Sequence, residues 1–269
     1  MGQKMTKNNY VVYHLHTEQS LLDSCTNYKD YVDRVVELGQ KAIAFTEHGN
    51  VFNWVEKKMY CDAKGIKYIH GVECYLTEQL EPKVRDNYHT ILLAKNYEGV
   101  KEINRLCYIA SQPDHFYYRP RLSFDEFLGI SDNVIKISAC LASPLNLHGD
   151  NETRTSVPVD LVRHYDYLEI QAHDFREQIL FNQSLINWSR EFGTPLIAGT
   201  DTHSLNQYKA ECRTMLQYSK NIDFGNEDTF DLTYKSYDEL CDMFEKQGLV
   251  KYNQFKKAEK NGGGIKVLI

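Results

Sequence analysis

Short apolar runs rich in β-branched residues alternate along this chain with stretches whose apolar residues recur at helical spacing. The apolar runs lie at residues 10–15, 42–46, 67–76, 90–94, 134–139, 165–170 and 195–199. Alternation of strands and helices is typical of a parallel sheet in an α/β protein. Seven candidate strands favour a barrel over an open sheet. The pattern therefore predicts an α/β fold of the barrel type.

Capping residues and glycines mark the ends of the predicted helices. Asn27 is placed to cap a helix that runs to Gln40, with Gly39 near its end. Two later helices begin with a capping box, in which a polar residue is followed three positions later by glutamate. These two helices are predicted from Asp174 and Glu177 to Gly193 and from Ser236 and Glu239 to about Lys246. Two further helices are predicted over residues 51–64 and 98–110.

Composition and charge are those of an ordinary globular protein of 269 residues, of which 42% are hydrophobic and 25% charged. The net charge of −6 argues against a protein that coats duplex DNA, because such proteins are normally basic. The seven cysteines form no CxxC pair, which favours a reducing, cytoplasmic compartment. We find no signal peptide and no apolar run long enough to span a membrane, so no membrane partner is expected.

The predicted organisation is one domain over residues 1–246 and a basic C-terminal tail over residues 247–269. The tail is rich in lysine and contains three consecutive glycines at 262–264, so we expect it to be mobile. Residues 265–269 are the exception, because their apolar character would allow a short strand.

Two histidines, His14 and His16, end the first apolar run. In a strand, residues two positions apart point to the same face, so both imidazoles can reach one metal ion. Neutral imidazole suits zinc, iron, nickel or copper. The alternative is a strand with two ordinary histidines, because the pattern is short.

Other residues of types that bind metals recur at or near the ends of the later runs. They are Glu47 and His48, Glu73, Cys140, His173, and Asp201 and His203. In α/β barrels the loops that follow the strands meet at one mouth, which carries the active site. A set of more than four such residues indicates several metal ions. His89 opens its run instead, so either that strand runs the other way or His89 lies in the preceding loop.

The ordered motifs resemble the PHP (polymerase and histidinol phosphatase) domain family over about residues 8–246. The similarity is greatest to the N-terminal PHP domain of bacterial DNA polymerase III α subunits. The matching segments are HLHTEQSLLD at 14–23, TEHGN at 46–50, GVECY at 71–75, HTILLAKN at 89–96, FYYRPR at 116–121, SACL at 138–141, EIQ at 169–171 and DTH at 201–203.

This resemblance implies an α/β fold that is a distorted (β/α)7 TIM-like barrel, with two to three divalent metal ions. The nine ligand positions of the family read His14, His16, Asp23, His48, Glu73, His89, Cys140, Asp201 and His203 here. By the resemblance, one metal is held by His14, His16, Glu73 and Asp201, a second by Glu73, His89 and Cys140, and a third by Asp23, His48 and His203. We expect Glu73, Asp201 and His203 to act in catalysis. A thiolate ligand favours zinc or iron over magnesium, and manganese is the third candidate.

Three features depart from the family pattern. The second motif usually contains aspartate where this chain has Glu47, so we expect Glu47 to orient a ligand rather than to be one. The stretch between Cys140 and Tyr167 is shorter than in the related polymerase domains. The sequence ends soon after the PHP domain, so we expect no polymerase activity from this chain alone, whether it is a separate protein or an excised domain.

The function implied by the resemblance is a metal-dependent phosphoesterase that removes nucleotides from DNA 3′ ends, as in 3′–5′ proofreading. Arg119, Arg121 and His173 are the candidates for binding the phosphate, with ordinary surface charges as the alternative. Tyr117 and Tyr118 are able to stack on bases, although core packing is the simpler role. Two other functions stay open: a small-molecule phosphatase of the histidinol phosphatase type, and a non-catalytic module that docks onto a replicative polymerase.

Overall fold

The computed structural model describes residues 10–146, 159–222 and 230–249 and the backbone of residues 267–268. Within these residues, strands alternate with helices through most of the chain, as the hydrophobic pattern predicts. The helices are α1 (Tyr28–Glu37), α2 (Trp54–Ala63), α3 (Tyr97–Ala110), α4 (Phe124–Leu128), α5 (Arg176–Phe192), α6 (Gln207–Ser219) and α7 (Tyr237–Gln247), with a 3₁₀ helix over Val159–His164. The strands are β1 (Ala42–Phe45), β2 (Lys67–Thr77), β3 (Tyr88–Ala94), β4 (Arg121–Ser123), β5 (Val134–Ile137), β6 (Leu168–Gln171), β7 (Leu196–Gly199) and β8 (Val267–Leu268).

Most helix starts follow from local capping chemistry. The side chain of Asn27 accepts a hydrogen bond from the Lys29 backbone at the start of α1, as expected. The predicted capping box of α7 is confirmed. The capping box predicted for α5 is wrong, because α5 begins one residue later and its N-cap is Phe175, which makes no side-chain cap. Asp174 therefore stands one position too early to accept from the first turn.

Two sheets contain all the strands of the described chain. The first has the order β1-β2-β3-β5, with β4 beside β2, and the second has the order β6-β7-β8. Strand β3 runs antiparallel to both β2 and β5, whereas the other pairs are parallel. His89, at the start of β3, consequently pairs with Tyr75 near the end of β2. This confirms the alternative in which the strand that His89 opens runs the other way.

The first predicted strand is an extended segment rather than a regular strand. Its carbonyls at Val12 and Leu15 accept from Ala44 and Thr46, at the end of β1. On its other side, the backbone of His16 donates to Thr202, which follows β7. The Leu15 N–H is donated to the Thr46 side chain, which interrupts a regular ladder. This segment, residues 10–16, links the two sheets through hydrogen bonds.

The mixed α/β class is confirmed, whereas a closed barrel is not seen among the described residues. At the other junction between the sheets, β5 and the start of β6 share one isolated bridge, Ile137 to Tyr167. The main core packs the inner faces of the helices, including Val32, Ile103 and Phe181, against the strands. No described helix has the length and apolar character that a membrane crossing requires.

The end of α7 is tied to the second sheet. Gln247 is buried and donates to the backbone carbonyls of Gln171 and His173. The expected short strand within 265–269 is present as β8, which pairs with β7. The expectation of a mobile tail otherwise falls on residues 250–266, which lie outside the described part of the chain.

Candidate metal centre

The loops and strand ends bring metal-binding side chains together in three groups that share members. In the first group, His14, His16, Glu73 and Asp201 each offer a ligand atom within 4.8 Å of the others. His14 Nε2 lies 2.9 Å from Glu73 Oε2 and 3.0 Å from Asp201 Oδ1. His16 Nε2 lies 3.3 Å from the same Asp201 oxygen. This group matches the set that the family resemblance gives to one metal.

The second group consists of Glu73, His89 and Cys140. His89 Nδ1 lies 3.1 Å from Glu73 Oε1 and 3.5 Å from Cys140 Sγ. The two carboxylate oxygens of Glu73 therefore face different groups, Oε2 toward His14 and Oε1 toward His89. A carboxylate placed in this way can offer one oxygen to each of two neighbouring cations.

The third group contains His16, His48 and His203. The His16 ring lies 4.2 Å from that of His203 and 4.1 Å from that of His48, measured between centroids. The family pattern places Asp23 here in place of His16, and Asp23 is adjacent: its Oδ2 lies 2.9 Å from His48 Nε2 and 3.3 Å from His203 Nε2. The nine predicted ligand positions thus converge on one region.

Backbone geometry at the strand ends directs several of these side chains. Asp201 and Ala139, which precedes Cys140, both adopt left-handed φ values, 46° and 59°. Such conformations cost roughly 1–3 kcal/mol each for residues other than glycine and tend to occur at functional sites. The segment after β1 also runs beside β2, where Gly49 donates to the Glu73 carbonyl and Glu73 donates to Glu47. His48 is held next to Glu73 by this pairing.

Glu169, a buried carboxylate outside the predicted ligand set, orients His14. Glu169 Oε1 lies 2.8 Å from His14 Nδ1, and Glu169 Oε2 accepts from the Tyr13 hydroxyl at 2.9 Å. Its side chain lies against Gly199, where an added Cβ would sit 2.3 Å from the carboxylate. A carboxylate on the second nitrogen fixes the ring and leaves Nε2 for a metal. The available signal was a glutamate between the apolar residues Leu168 and Ile170.

Glu47 lies outside the three groups and touches them through Ser20. Its carboxylate accepts from the backbone and hydroxyl of Thr17 and from Ser20 Oγ, and it forms a buried ion pair with Lys57 at 2.6 Å. Ser20 Oγ in turn lies 3.0 Å from His16 Nδ1 and accepts from the His48 backbone. Burial alone would raise the pKa of Glu47, but the Lys57 ammonium and these donors lower it to about 2.

Helix α6 holds Asp23 from behind. Arg213 Nε donates to the Asp23 carbonyl at 2.7 Å and to Asp23 Oδ1 at 3.0 Å, and Gln217 Nε2 donates to the same Oδ1 at 2.9 Å. Asp23 Oδ2 faces His48 and His203. One oxygen is thus fixed by the helix and the other is directed toward the histidines.

The electrostatics of the cluster depend on its carboxylates. Burial lowers the pKa of His48, but Glu73 and Asp23 raise it to about 10. His16 behaves in the opposite way, since burial and the neighbouring His48 and His203 lower its pKa to about 3. Burial, followed by the charges of Asp201 and Glu73, raises the pKa of the Cys140 thiol well above its usual value.

The donor set fits divalent metal ions. His16 Nε2, His203 Nε2 and Asp201 Oδ1 are buried and make no well-formed hydrogen bond among the described residues, although these atoms lie 3.0–3.3 Å from ionisable neighbours. Buried polar atoms without a well-formed hydrogen bond are uncommon in folded proteins, and a bound cation is one way to satisfy them. Histidine, carboxylate and thiol donors together suit zinc, iron or manganese better than magnesium.

The three predicted phosphate-binding residues have different positions. The Arg119 guanidinium lies 5.5 Å from the centre of the Tyr75 ring, which is itself 5.0 Å from the His89 ring, so Arg119 is at the rim of the cluster. The prediction for Arg121 is corrected, because this residue is only 2% exposed. Its guanidinium donates to the carbonyls of Val84 and His115 and is committed to holding two loops.

His173 lies near the cluster by strand register. It follows Gln171 by two residues, Asp201 follows Gly199 by two residues, and Gln171 and Gly199 are paired between β6 and β7. The His173 side chain is buried and its Nε2 has no hydrogen-bond partner. Burial lowers its pKa, so the ring is neutral and able to bind a phosphate oxygen by a hydrogen bond.

Comparison with known proteins gives matches over most of the chain. The PHP domain family model matches residues 13–173. The DNA polymerase III α subunit of Borreliella burgdorferi is 31% identical over 274 residues, covering 94% of this chain and 24% of that protein. The same subunit of Aquifex aeolicus is 32% identical over 224 residues, covering 77% of this chain and 19% of that protein. The chain thus spans about a quarter or less of the length of these relatives.

One solved structure that aligns with this chain comes from Bacteroides vulgatus. It is a two-domain protein that contains a predicted PHP-like metal-dependent phosphoesterase. It aligns with a TM-score of 0.48 and 13% identity, covering 88% of this chain and 62% of that one.

Proposed function

Because the chain belongs to the PHP domain family, we propose that it hydrolyses phosphate esters with the help of divalent metal ions. The observation that carries this proposal is the convergence of three groups of nitrogen, oxygen and sulfur donors around Glu73. Buried atoms of His16, His203 and Asp201 that make no well-formed hydrogen bond support it, since a bound cation would satisfy them.

The proposed ligands are the nine positions that the family pattern predicts, for two to three ions of zinc, iron or manganese. Such ions supply a water of lowered pKa and positive charge for the phosphate. Glu73 holds two groups together through its separate oxygens, and Asp201 and His203 complete the first and third groups. Glu169 and Ser20 fix the rings of His14 and His16 from behind.

Two residues are placed to bind the substrate phosphate. Arg119 carries its charge at the rim, and guanidinium groups match phosphate oxygens by paired hydrogen bonds. His173 offers an unpartnered ring nitrogen on the side of Asp201. Arg121 is left out of this proposal because it is buried and two of its donors hold backbone carbonyls.

The proposed substrate is the 3′ end of a single DNA strand, trimmed slowly in the 3′–5′ direction. The support is the identity of about 30% with DNA polymerase III α subunits over most of this chain. The net charge of −6 argues against tight binding to a long duplex, so we propose weak affinity that falls as salt rises. A replicative polymerase is the proposed partner.

The test compares three substrates with metal-loaded protein: a single-stranded oligonucleotide, histidinol phosphate and an aryl phosphate. We expect release of the 3′-terminal nucleotide, loss of this activity with a chelator, and recovery when zinc or manganese is restored. The variant Glu73→Gln, purified in parallel, controls for contaminating nucleases. Cleavage of the small monoesters alone would favour a phosphatase. Less than one metal equivalent after reconstitution, with no hydrolysis, would reject the proposal in favour of a docking module.

A further inference from the structure

A tight turn with exposed aromatic side chains lies beside the candidate metal centre. The Tyr117 backbone donates to the Arg119 carbonyl at 3.2 Å, which closes the turn around Tyr118. The Tyr118 side chain is 69% exposed, and the preceding Phe116 is 51% exposed. The expectation that Tyr118 packs in the core is therefore wrong. We call residues 117–119 the Tyr118 turn.

The backbone of Tyr118 is strained. Its φ angle is +61°, in the left-handed region that bulky residues other than glycine rarely adopt. A residue selected only for this turn would be glycine or asparagine. The ring gains little from burial, so its place at the tip indicates a use for the side chain at the surface.

Neighbouring side chains fix the orientation of the Tyr118 ring. The Arg85 guanidinium lies 4.8 Å from the ring centre, and the Tyr117 ring meets it edge-on at 4.7 Å. The Arg121 guanidinium lies 5.7 Å from the centre of the Tyr117 ring. The exposed ring is thus held in place, with positive charge beside it, before any ligand arrives.

The Tyr118 turn is anchored to the metal centre through two contacts. Pro120 packs so closely on Gly49, the residue after His48, that a Cβ on Gly49 would lie 2.4 Å from Pro120 Cγ. Arg119 lies over the Tyr75 ring, which contacts His89. The order from the metal centre outward is therefore His89, Tyr75, Arg119 and Tyr118.

We propose that the Tyr118 turn binds a single-stranded polynucleotide next to the scissile phosphate, with Tyr118 stacking on a base and Arg85 and Arg119 contacting the backbone. Aromatic rings flanked by basic residues are the usual means of binding single strands without sequence preference. A small phosphate monoester that fills the metal centre would not reach Tyr118. The inference rests on the proposed function for the direction of the strand, but binding itself can be tested separately.

The experiment measures fluorescence anisotropy of a labelled thymidine oligonucleotide of about 12 nucleotides, long enough to cover one such groove. Phosphorothioate linkages at its 3′ end prevent hydrolysis during the measurement with metal-loaded protein. Tyr118→Gly removes the ring and tolerates the left-handed backbone, so the turn keeps its shape. We expect this variant to raise the Kd about tenfold, in line with the loss of one stacked base.

Three controls make the outcome specific. Tyr118→Phe keeps the ring and should bind within about twofold of the wild type. Tyr97→Ala removes another tyrosine that is 70% exposed and has Lys101 beside its ring at 5.6 Å, and it should leave the Kd unchanged. An oligonucleotide that lacks the bases near its 3′ end should bind wild type and Tyr118→Gly equally.

Two results would overturn the inference: no measurable binding of the oligonucleotide, or equal binding by wild type and Tyr118→Gly. Failure of the proposed function has a different signature, namely no hydrolysis of any ester. In that case a Kd that still depends on the Tyr118 ring would support the binding surface on its own.

Discussion

Among single residues, Glu73 has the most contacts within the candidate metal centre, since its two oxygens face His14, His48 and His89. Replacing Glu73 by glutamine preserves its size but removes the charge shared between two cations. We expect activity to fall by more than the roughly 10–100-fold loss that is typical when a residue hydrogen-bonded to a metal ligand is replaced. The metal content should drop as well. Kinetics and elemental analysis measure both effects.

The control for this variant is Glu177→Gln, because Glu177 is exposed at the start of α5. The fold of Glu73→Gln should persist, with unchanged circular dichroism and a somewhat lower melting temperature when metal is supplied. Full activity with a full complement of metal would show that Glu73 is not the shared ligand.

Glu47 illustrates how a buried partner changes an expectation. From the sequence alone, an amide at position 47 would do little harm, but the structure pairs Glu47 with buried Lys57 at 2.6 Å. In Glu47→Gln the lysine charge stays buried without a counter-ion, and we expect a loss of about 3–5 kcal/mol in the free energy of unfolding. Denaturant unfolding measures this loss.

The matched double variant, Glu47→Gln with Lys57→Met, removes both charges and should recover much of the lost stability. If the single variant is as stable as the wild type, the ion pair contributes nothing and Glu47 acts only through Thr17 and Ser20.

The histidines of the cluster predict a pH dependence of metal binding. Burial lowers the pKa of His14 and His203, but Asp201 raises the first and Asp23 raises the second above the usual value, and His48 reaches about 10. These shifts favour the protonated rings in the metal-free protein, and a metal must displace the protons that they hold. Apparent affinity should therefore rise with pH, by about tenfold per unit for each proton displaced.

Calorimetric titration of metal in two buffers with different ionisation enthalpies would count the released protons. In the metal-free protein the same rings stabilise the fold below the unfolded pKa of about 6.5, and that stability is lost as the pH rises toward the raised pKa values. A metal affinity that does not change between pH 6 and pH 8 would contradict these assignments.

Residue types and order singled out most of the candidate ligands, because these lie in or beside recognisable apolar runs, whereas Asp23 came only from the family resemblance. Contacts between residues far apart in the sequence could not be predicted in this way. Nothing local indicates that Glu169 meets His14, since the contact depends on how β6 lies beside the N-terminal segment. Arg121 and Arg119 look alike in sequence, yet one is buried among carbonyls and the other reaches the rim.

Among the helices and strands, α6 supports the candidate group of Asp23, His48 and His203 by holding Asp23. Arg213 and Gln217 on its inner face hold Asp23 Oδ1. Arg213→Lys would lose the paired guanidinium contacts, so we expect metal affinity at the group of Asp23, His48 and His203 to fall about 10–100-fold. Elemental analysis after dialysis should show about one equivalent less than the wild type.

The exposed Arg190 on α5 provides the control, since Arg190→Lys should leave metal content unchanged. Equal metal content in wild type and Arg213→Lys would mean that α6 only packs against Asp23 without supporting its role as a ligand.

Helices were easier to predict than strand geometry. The periodicity and the caps placed α1 and α7 closely, because both signals are local. The irregular hydrogen bonding of residues 10–16 and the antiparallel course of β3 depend on neighbours elsewhere in the chain. The hydrophobic pattern therefore located most of the strands, whereas the closed barrel that it favoured is not seen among the described residues.

At the scale of the whole molecule, residues 10–16 connect the two sheets and carry two of the candidate ligands, His14 and His16. We expect chelation of the metals to accelerate hydrogen exchange at the amides of His16 and Thr202, which pair across this junction. At metal concentrations of about 100 times the Kd, the change should approach a hundredfold. Exchange mass spectrometry of peptides covering 10–16 and 200–203 measures it.

The comparison amides are Leu92 and Val72, which are paired between β2 and β3 within one sheet. If chelation changes these as much as it changes His16 and Thr202, metal binding stabilises the whole fold evenly. If nothing changes, the junction does not depend on metal.

The pairing of His14 and His16 with Asp201 joins the start of the described chain to the residues that follow β7. During synthesis the histidines leave the ribosome early, whereas the aspartate emerges only after β7. No nascent fragment that lacks β7 can assemble the first metal group, however much metal the cell supplies. Acquisition of metal by the first group would then report that synthesis has passed β7.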